Sequence, residues 1–211
     1  VFLSGYFGRD NFNHGTTYVG TDVFSMDFSW GNQAYSTRWN HIWSSNLFTN
    51  ISLIYSDYHS DQITNLSYSF IRKEPSVRDL SLKVDGEFFM TESQSLHLGT
   101  AFIGHHYRIS AGLLQNSGDV VTKDAQEVQN YLSYGWQISN QIKMTSGIRY
   151  DYFSAIPAFE FDPRFNIRYL ISENLSLKAS FTRMHQFVHL LSTAVFSIPG
   201  DVFYPATDYL R

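Results

Sequence analysis

The strongest constraint on the fold is an alternation of apolar and polar residues with a period of two, which recurs along most of the 211-residue chain. In LSLKVDGEFFM (80–90), large apolar residues alternate with Ser81, Lys83, Asp85 and Glu87. The same alternation occupies residues 96–102, 128–138, 142–152, 165–171 and 175–182 and, more weakly, 49–58. Because successive side chains of a strand point to opposite faces, each segment predicts a strand with one apolar and one polar face. The chain is predicted to be all-β, with about nine strands and no helix.

Two architectures produce strands of this kind. In a soluble β-sandwich the apolar face packs on a second sheet, whereas in an outer-membrane barrel it faces lipid and the polar face lines a wet lumen. Several segments exceed about 10 residues, while strands of soluble proteins average about 5–6. At least five of the apolar faces also carry no charged residue. Both features favour an antiparallel, up-and-down transmembrane β-barrel.

The breaks between the segments differ in length in a regular way. Short polar breaks at 44–46, 91–95, 139–141 and 172–174 alternate with other, mostly longer connections at 13–21, 72–76, 109–126 and 154–162 and after residue 187. An up-and-down sheet with tight turns on one rim and longer loops on the other has this layout. We therefore expect antiparallel neighbours from residue 47 onward and the four short turns on one rim. Because 72–76 is short for a loop, its flanking strands should project beyond the membrane.

The stretch VFSMDFSWGNQAYSTRW changes phase near Gly31. Apolar residues occupy the even positions from Phe24 to Trp30, and then the odd positions from Tyr35 to Trp39. One extra residue in a strand reverses the direction of all the side chains that follow it. The phase change therefore predicts a β-bulge at Gly31, a residue type that often marks a bulge.

The composition agrees with a membrane barrel. Charged residues make up 16% of the chain, below the roughly 25% of an ordinary soluble domain, and aromatic residues make up 17%. Aromatic residues also gather beside the short breaks, where they are expected to form one interfacial girdle. These residues are Trp39, Trp43, Phe48, Phe88, Phe89, Trp136 and Tyr169.

Several classes of protein and of site are disfavoured. The chain has no cysteine, so disulfides and thiol metal sites are excluded, and its net charge of -4 does not suggest nucleic-acid binding. No run approaches about 18 apolar residues, as a transmembrane helix would require. The first residues, VFLSGYFGRD, lack the features of a signal peptide and already alternate like a strand.

The chemistry-bearing side chains do not assemble into a convincing site. His185 and His189 have the spacing of a helical metal pair, but the pattern around them is extended, and His105 and His106 are direct neighbours. Asp85 and Glu87 share a polar face with cationic residues and are expected to belong to a charge-balanced lumen wall. No nucleophile elbow or phosphate-binding glycine loop is present. We therefore predict no catalytic residue, no metal ligand and no cofactor.

The stretch FDPRFNIRYLISENLSLKASFTRMHQFVHLLS, followed by IPGDVFYPAT, resembles the barrel of TonB-dependent receptors of the Gram-negative outer membrane. In that family a strand often opens with Pro-Arg, as at Pro163 and Arg164. An Arg-x-x-Gln-aromatic-x-His-Leu segment and a Pro-x-Asp-x-aromatic-x-Pro loop follow. The matching residues are Arg183, Gln186, Phe187, His189 and Leu190, and then Pro199, Asp201, Phe203 and Pro205. Weaker similarities are RWNHIW (38–43), YSDY (55–58), RDLSLK (78–83) and FIGHHY (102–107).

The resemblance implies that residues 1–211 form part of a single barrel domain. Barrels of this family have about 22 strands, so about nine strands make up only a portion. The family's plug domain and TonB-contacting segment have no counterpart here, and the chain ends in DYLR where a loop is expected. We therefore expect an internal piece of a larger receptor. A closed barrel of eight to ten strands is the structural alternative.

The resemblance also implies a function. Ligand binds at the outer loops and the plug, and TonB then pulls on the plug to open a path through the lumen. The expected partners are outer-membrane lipid, the remaining barrel and plug, and TonB. The segment 190–205 is less similar to receptors that work with a surface lipoprotein, so such a partner stays open.

The ligand is unknown, and residues 109–126 and 190–205 are the candidate ligand loops. An outer-membrane scaffold built on a receptor-like barrel is the alternative function, and a small barrel enzyme lacks the required Ser/His/acid cluster.

Substitutions at Ala179 and Lys178 test which face meets lipid. Ala179→Leu should be neutral or mildly stabilising in lipid, but should cost roughly 1–3 kcal/mol in a packed sandwich core. Ala179→Arg should cost about 2–4 kcal/mol near the bilayer midplane. Lys178→Gln, on the wet face, should cost only about 0–1 kcal/mol. Reversible folding of the complete barrel into lipid vesicles measures all three, and a clear loss for Ala179→Leu would reverse the assignment of the faces.

Overall fold

The computed structural model describes residues 1–19, 22–113, 120–156, 158–192 and 201–206, and these residues form strands and turns without a helix. None of them belongs to a helix long and apolar enough to cross a membrane. The strands are β1 (Phe2–Val19), β2 (Asp22–Ser44), β3 (Leu47–Leu66), β4 (Ser69–Lys73), β5 (Ser76–Thr91), β6 (Gln94–Leu113), β7 (Val120–Gln137), β8 (Ile142–Phe153), β9 (Ala158–Ser172), β10 (Leu175–Thr182), β11 (Val188–Ser192) and β12 (Asp201–Pro205).

Strands β1 to β10 form one antiparallel sheet in chain order. β4 and β5 are two segments of a single strand, because both pair with β3 and with β6 in an unchanged register. The interruption is at Glu74 and Pro75, where the ladder continues through Ser60 N–H to Pro75 O and Glu74 N–H to Ser110 O, both 3.0 Å. Proline has no N–H to contribute to a ladder. The described sheet is thus nine strands wide, as the alternation predicts.

The four short breaks all lie on one rim of the sheet, which confirms the predicted topology. They connect β2 to β3, β5 to β6, β7 to β8, and β9 to β10, and each of these pairs is antiparallel. The predicted connection at 72–76 is wrong. The chain turns earlier, at Ser67 and Tyr68, and Ser67 has a φ of 21°. Residues 72–76 instead lie within the continuous β4–β5 strand.

Three of the predicted longer connections are mostly strand. β1 continues to Val19, β6 extends to Leu113 and β7 begins at Val120, so the predicted breaks at 13–21 and 109–126 are much shorter. Likewise β9 begins at Ala158. The period-two alternation fades in these segments because both faces of the strands carry polar residues once the strands extend past the part of the sheet that has an apolar face. The expected projection concerned the strands that flank residues 72–76. β3 has 20 residues and the continuous β4–β5 strand runs from Ser69 to Thr91, lengths that agree with projection beyond the apolar zone.

The sheet has an apolar face and a polar face, as predicted. Directly opposed residues of antiparallel strands share a face, and the register puts Leu53, Leu82, Phe102 and Val128 in one row. The neighbouring row on the other face carries Ser52, Lys83, Ala101 and Gln129. Leu53 is 50% exposed and Leu177 is 63% exposed, so no second sheet from the described residues covers the apolar face. A contiguous exposed apolar surface of this extent indicates contact with lipid or another apolar partner.

No bulge occurs at Gly31, so that prediction is wrong. The register between β2 and β3 is continuous from Phe24 to Ile42. The apolar residues change face because Met26 and Phe28 are buried on the polar face of the projecting part of β2, while Trp39 lies on the apolar face nearer the short turns. Glycine at position 31 has a steric reason, since a Cβ there would lie 2.9 Å from the His59 ring.

The predicted aromatic girdle is partly confirmed. Register places Trp39, Phe88, Trp136 and Tyr169 on the apolar face near the short turns. Trp43 falls at a register irregularity, and its ring contacts Trp39 and donates to Thr49 on that same face. Phe48 and Phe89 are exceptions, because they are opposite Glu87 and Ser95 on the polar face.

Gly99 is expected to be essential for a tyrosine contact on the polar face. The Tyr131 hydroxyl donates to Asp85 Oδ1 at 2.8 Å, and a Cβ at Gly99 would overlap the Tyr131 ring and lie 2.7 Å from Asp85 Oδ1. Gly99→Ala should therefore displace the ring and cost about 1–3 kcal/mol, as overpacking does. Gly86→Ala is the matched control, since its Cβ would meet Leu98 at an ordinary 3.7 Å. Urea unfolding of the complete barrel in vesicles should show a loss for Gly99→Ala alone.

Candidate functional site

A row of charged side chains crosses the polar face at the end opposite the short turns. His105, on β6, lies between Asp79 of β5 and Glu127 of β7. Its Nδ1 is 2.8 Å from Asp79 Oδ1, and its Nε2 is 3.3 Å from Glu127 Oε2. His105 is 8% exposed and Glu127 is 7% exposed, so these are buried ionisable groups with specific partners. Buried charges of this kind are stable only when they are paired and hydrogen-bonded.

The two carboxylates keep His105 protonated. Burial lowers the pKa of a histidine, but the hydrogen bonds and charges of Asp79 and Glu127 outweigh it and raise the pKa of His105 to about 9. Burial also works against ionisation of Glu127, yet the hydrogen bonds from His105 and Gln129 lower its pKa. These groups lie beyond the apolar zone, since the adjacent residues on the other face form an exposed His106–Asp124 ion pair.

The charged row continues onto β8 and β9. Arg149 Nε is 2.7 Å from Asp151 Oδ2, and an Arg149 terminal nitrogen is 3.8 Å from Glu127 Oε1. Past the end of β10, His185 Nδ1 is 2.6 Å from Asp162 Oδ1 and its Nε2 is 3.1 Å from Glu160 Oε2. Carboxylates thus pair with histidine and arginine side chains from β5 to the segment after β10, and the His185 contacts hold that segment against the sheet.

An aromatic cluster next to the charged row holds the β11–β12 pair on the polar face. The rings of Phe153 and Phe187 stack with centroids 5.0 Å apart at 11°. Tyr107 and Phe153 are fully buried, and Phe187 and Ala206 belong to the same core. Phe203 of β12 packs edge-on against the Tyr58 ring, with the two ring centroids 5.4 Å apart. The segment after β10 therefore folds back over the sheet and does not extend away from it.

A cavity of about 470 Å³ lies between the sheet and the β11–β12 pair. Its aromatic wall comprises Tyr6, Tyr58, Tyr107 and Phe203, and its ionic groups are Asp57, Asp79 and His105. No lysine or arginine is among its described lining residues. The Tyr107 hydroxyl has no hydrogen-bond partner within the described chain. Burial, together with the charges of Asp79 and Glu127, raises the pKa of Tyr107, so it remains a protonated donor.

The structure separates the side chains that sequence spacing placed together. His105 points to the polar face and His106 to the apolar face, as strand neighbours must. His185 binds Asp162, while His189 lies on β11. Asp85 accepts from Tyr131, and Glu87 is 3.4 Å from His97, so these carboxylates do not form an acid–base pair. Across the described residues, no group of three or more His, Asp or Glu has metal-binding geometry.

The predicted ligand loops overlap the cavity only in part. Residues 114–119 and 193–200 lie outside the described residues. Within 190–205, Phe203 reaches the cavity, but most of the lining comes from strands that sequence analysis treated as plain wall. Sequence analysis considered His105 only as a neighbour of His106 and missed Asp79 and Glu127. The three residues share one signal, because each is a titratable residue on the polar face near the end of its strand's apolar alternation.

Comparison with known proteins assigns the family. The family model described as "TonB dependent receptor-like, beta-barrel" matches residues 2–199. The chain belongs to the TonB-dependent receptor β-barrel family. Members of this family are receptors and transporters of the Gram-negative outer membrane, a class without catalytic activity.

Two further comparisons add less. No curated protein matches the chain. Among solved structures, the siderophore receptor PirA from Pseudomonas aeruginosa is similar, with 11% sequence identity, a TM-score of 0.45, and coverage of 98% of this chain and 47% of the receptor. The chain therefore spans less than half the length of that receptor.

The His105 pairing should make part of the stability depend on pH. A histidine whose pKa is about 9 when folded and about 6.5 when unfolded contributes stability that is complete below pH 6.5 and is lost as pH rises through 9. The urea midpoint of the complete barrel should therefore fall between pH 7 and pH 10, and fall less in His105→Gln. His106→Gln, whose exposed pair lies on the other face, should keep the wild-type pH dependence. An equal pH dependence in all three proteins would contradict the pairing.

Proposed function

We propose that this chain forms part of the barrel wall of an outer-membrane importer and that the cavity beneath β11–β12 holds the imported ligand. The observation that supports this most is the position of the β11–β12 pair, which folds over the polar face and leaves an aromatic-lined space beneath it. Ligand pockets are concave and mostly apolar, with a few placed polar groups, and this cavity has that character. The end opposite the short turns is the external end in outer-membrane barrels.

The remaining parts of the importer follow from family membership. A plug inside the lumen would receive the ligand from the cavity, and TonB would act on that plug to open a path. The chain itself would contribute the lipid-facing belt, the polar lumen wall and one side of the external site. The residues described here would bind and position the ligand without bond chemistry, and the outer membrane of a Gram-negative bacterium would be their location.

The cavity favours a particular class of ligand. Asp57 and Asp79 bring two negative charges to the cavity lining against one on protonated His105, and no lysine or arginine is among the described lining residues. Arg78 pairs with Asp57 at 2.9 Å but does not line the space. A polyanion would be repelled, whereas a neutral or cationic molecule would not. Tyr58 and Phe203 offer faces and edges for a planar apolar group. We therefore infer a compact neutral or cationic ligand with a planar part and an acceptor for the Tyr107 hydroxyl.

Replacing the aromatic wall should weaken ligand binding without unfolding the barrel. Phe203→Ala and Tyr58→Ala each remove an aromatic contact worth about 0.5–1.5 kcal/mol, which corresponds to between about twofold and tenfold in affinity. Tyr68→Ala is the matched control, because Tyr68 is 98% exposed in a turn. The measurement is uptake by cells that carry the complete receptor, across neutral, cationic and anionic solutes.

The outcomes separate transport from a scaffold role. Saturable uptake that weakens in both wall variants and survives in Tyr68→Ala supports the cavity. Uptake that is unchanged by the wall variants rejects the cavity as the binding site. A complete receptor that takes up none of the solutes, but still recruits other outer-membrane proteins, would favour the scaffold function.

A further inference from the structure

Two neighbouring rows of the polar face form the floor of the cavity. Register sets Ser56, Asp79 and His105 side by side across β3, β5 and β6. The next row, one step farther from the short turns, carries Tyr58 on β3 and Tyr107 on β6. Diagonal neighbours on adjacent strands lie about 7–8 Å apart, so a tyrosine flanks Asp79 on each side.

A third aromatic ring borders the same space from the other side. Phe203 lies on β12, which packs over the polar face, and its ring is edge-on to that of Tyr58. Tyr107 is fully buried and closes the back of the space, whereas Tyr58 and Phe203 are partly exposed. All three rings line the cavity together with Asp79.

Only one oxygen of the Asp79 carboxylate is held by the protein. Its Oδ1 is 2.8 Å from His105 Nδ1, whereas its Oδ2 has no hydrogen-bond or ion-pair partner among the described residues. The other carboxylate of the lining is already occupied, since Asp57 Oδ2 accepts from Arg78 at 2.9 Å and from Tyr55 at 3.2 Å. Asp79 is therefore the carboxylate that can contact a ligand.

The charges around Asp79 do not cancel. Protonated His105 lies between Asp79 and Glu127, so two carboxylates face one imidazolium and one negative charge remains. Arg149 is 3.8 Å from Glu127 but 2.7 Å from Asp151, which is its closer partner. A cation in the cavity would thus meet negative charge that the described lining residues do not neutralise, since no lysine or arginine is among them.

We propose that Tyr58 and Phe203, backed by Tyr107, form an aromatic cage beside Asp79 Oδ2 that binds an alkylated ammonium group of the ligand. This inference rests on the proposed function, because it names the chemical class of the molecule held in the cavity. Aromatic faces attract a cation and contact its methyl groups, while the carboxylate supplies the opposite charge. A bare ammonium instead needs acceptors for three N–H groups, which the faces of the rings do not supply.

Three small probes test the proposal in the purified complete receptor. Choline carries a trimethylammonium group, dimethylbutanol is its isostere with carbon in place of nitrogen, and ethanolamine has the charge without the methyl groups. Saturation transfer from the receptor to the carbon-bound protons of each probe follows the titrations. Choline should bind roughly fivefold more tightly than either of the others, as a cation–π contact implies. Equal binding of dimethylbutanol or of ethanolamine, or absence of choline binding, overturns the proposal.

Variants assign the binding to the cage. Asp79→Asn should weaken choline binding and leave dimethylbutanol binding unchanged. Asp124→Asn is the matched control, because it removes an exposed carboxylate on the other face of the sheet, and it should bind choline as the wild type does. Phe203→Leu keeps an apolar side chain without the ring, so it should weaken choline more than dimethylbutanol, whereas Phe203→Tyr should retain both. Undiminished choline binding in Asp79→Asn overturns the proposal; if that variant does not fold, undiminished choline binding in Phe203→Leu does so.

Uptake by cells that carry the same receptor separates the cage from the importer. Choline binding to the purified receptor without uptake of any solute rejects the importer and leaves the cage. Uptake of another solute that weakens in Phe203→Ala, without choline binding, rejects the alkylated ammonium and leaves the importer.

Discussion

The structure depends on one constraint, the pairing of every backbone N–H and C=O where the chain crosses hydrocarbon. Lipid offers no hydrogen bonds, so a β structure can cross only when each strand is paired along its length. The long uninterrupted registers of β2 with β3 and of β6 with β7 satisfy this requirement. Strict pairing then fixes which residues share a face. One face can be apolar against lipid, and the other is free to carry charge.

Much of the fold follows from the sequence because that constraint leaves a period-two pattern. The faces from Leu80 to Phe88 and the four short turns could be read directly from it. The ends of the strands could not be predicted where the alternation of apolar and polar residues stops. Residues 72–76 contain Arg72, Glu74 and Pro75, all of which suggest a turn, yet the chain keeps its register because Ser60 and Ser110 complete the ladder around Pro75. The apparent bulge at Gly31 arises because apolar residues lie on the polar face before it and on the apolar face after it. The pattern of one strand cannot distinguish this change from an inserted residue.

The candidate site was less accessible to sequence reasoning because its residues come from distant strands. Asp79, His105 and Glu127 are 26 and 22 positions apart, and only the β5–β6–β7 register brings them within hydrogen-bond distance. The cavity further requires Phe203, whose strand is not part of the main sheet. Nothing local in the sequence indicates that the segment after β10 folds back. Its anchors, Phe187 and His185, are recognisable only once Phe153 and Asp162 are known to lie on the same face.

The charges on the polar face differ between its two ends. At the cavity end, carboxylates pair with His105, Arg78 and Arg149, whereas near the short turns Lys143, Arg168 and Lys178 lie opposite one another and pair with no carboxylate of the described chain. A cationic ligand accepted at the cavity would be repelled by these three exposed side chains, because fields in a narrow low-dielectric passage are weakly screened. The polar face of this part of the barrel therefore discriminates by charge in opposite senses at its two ends.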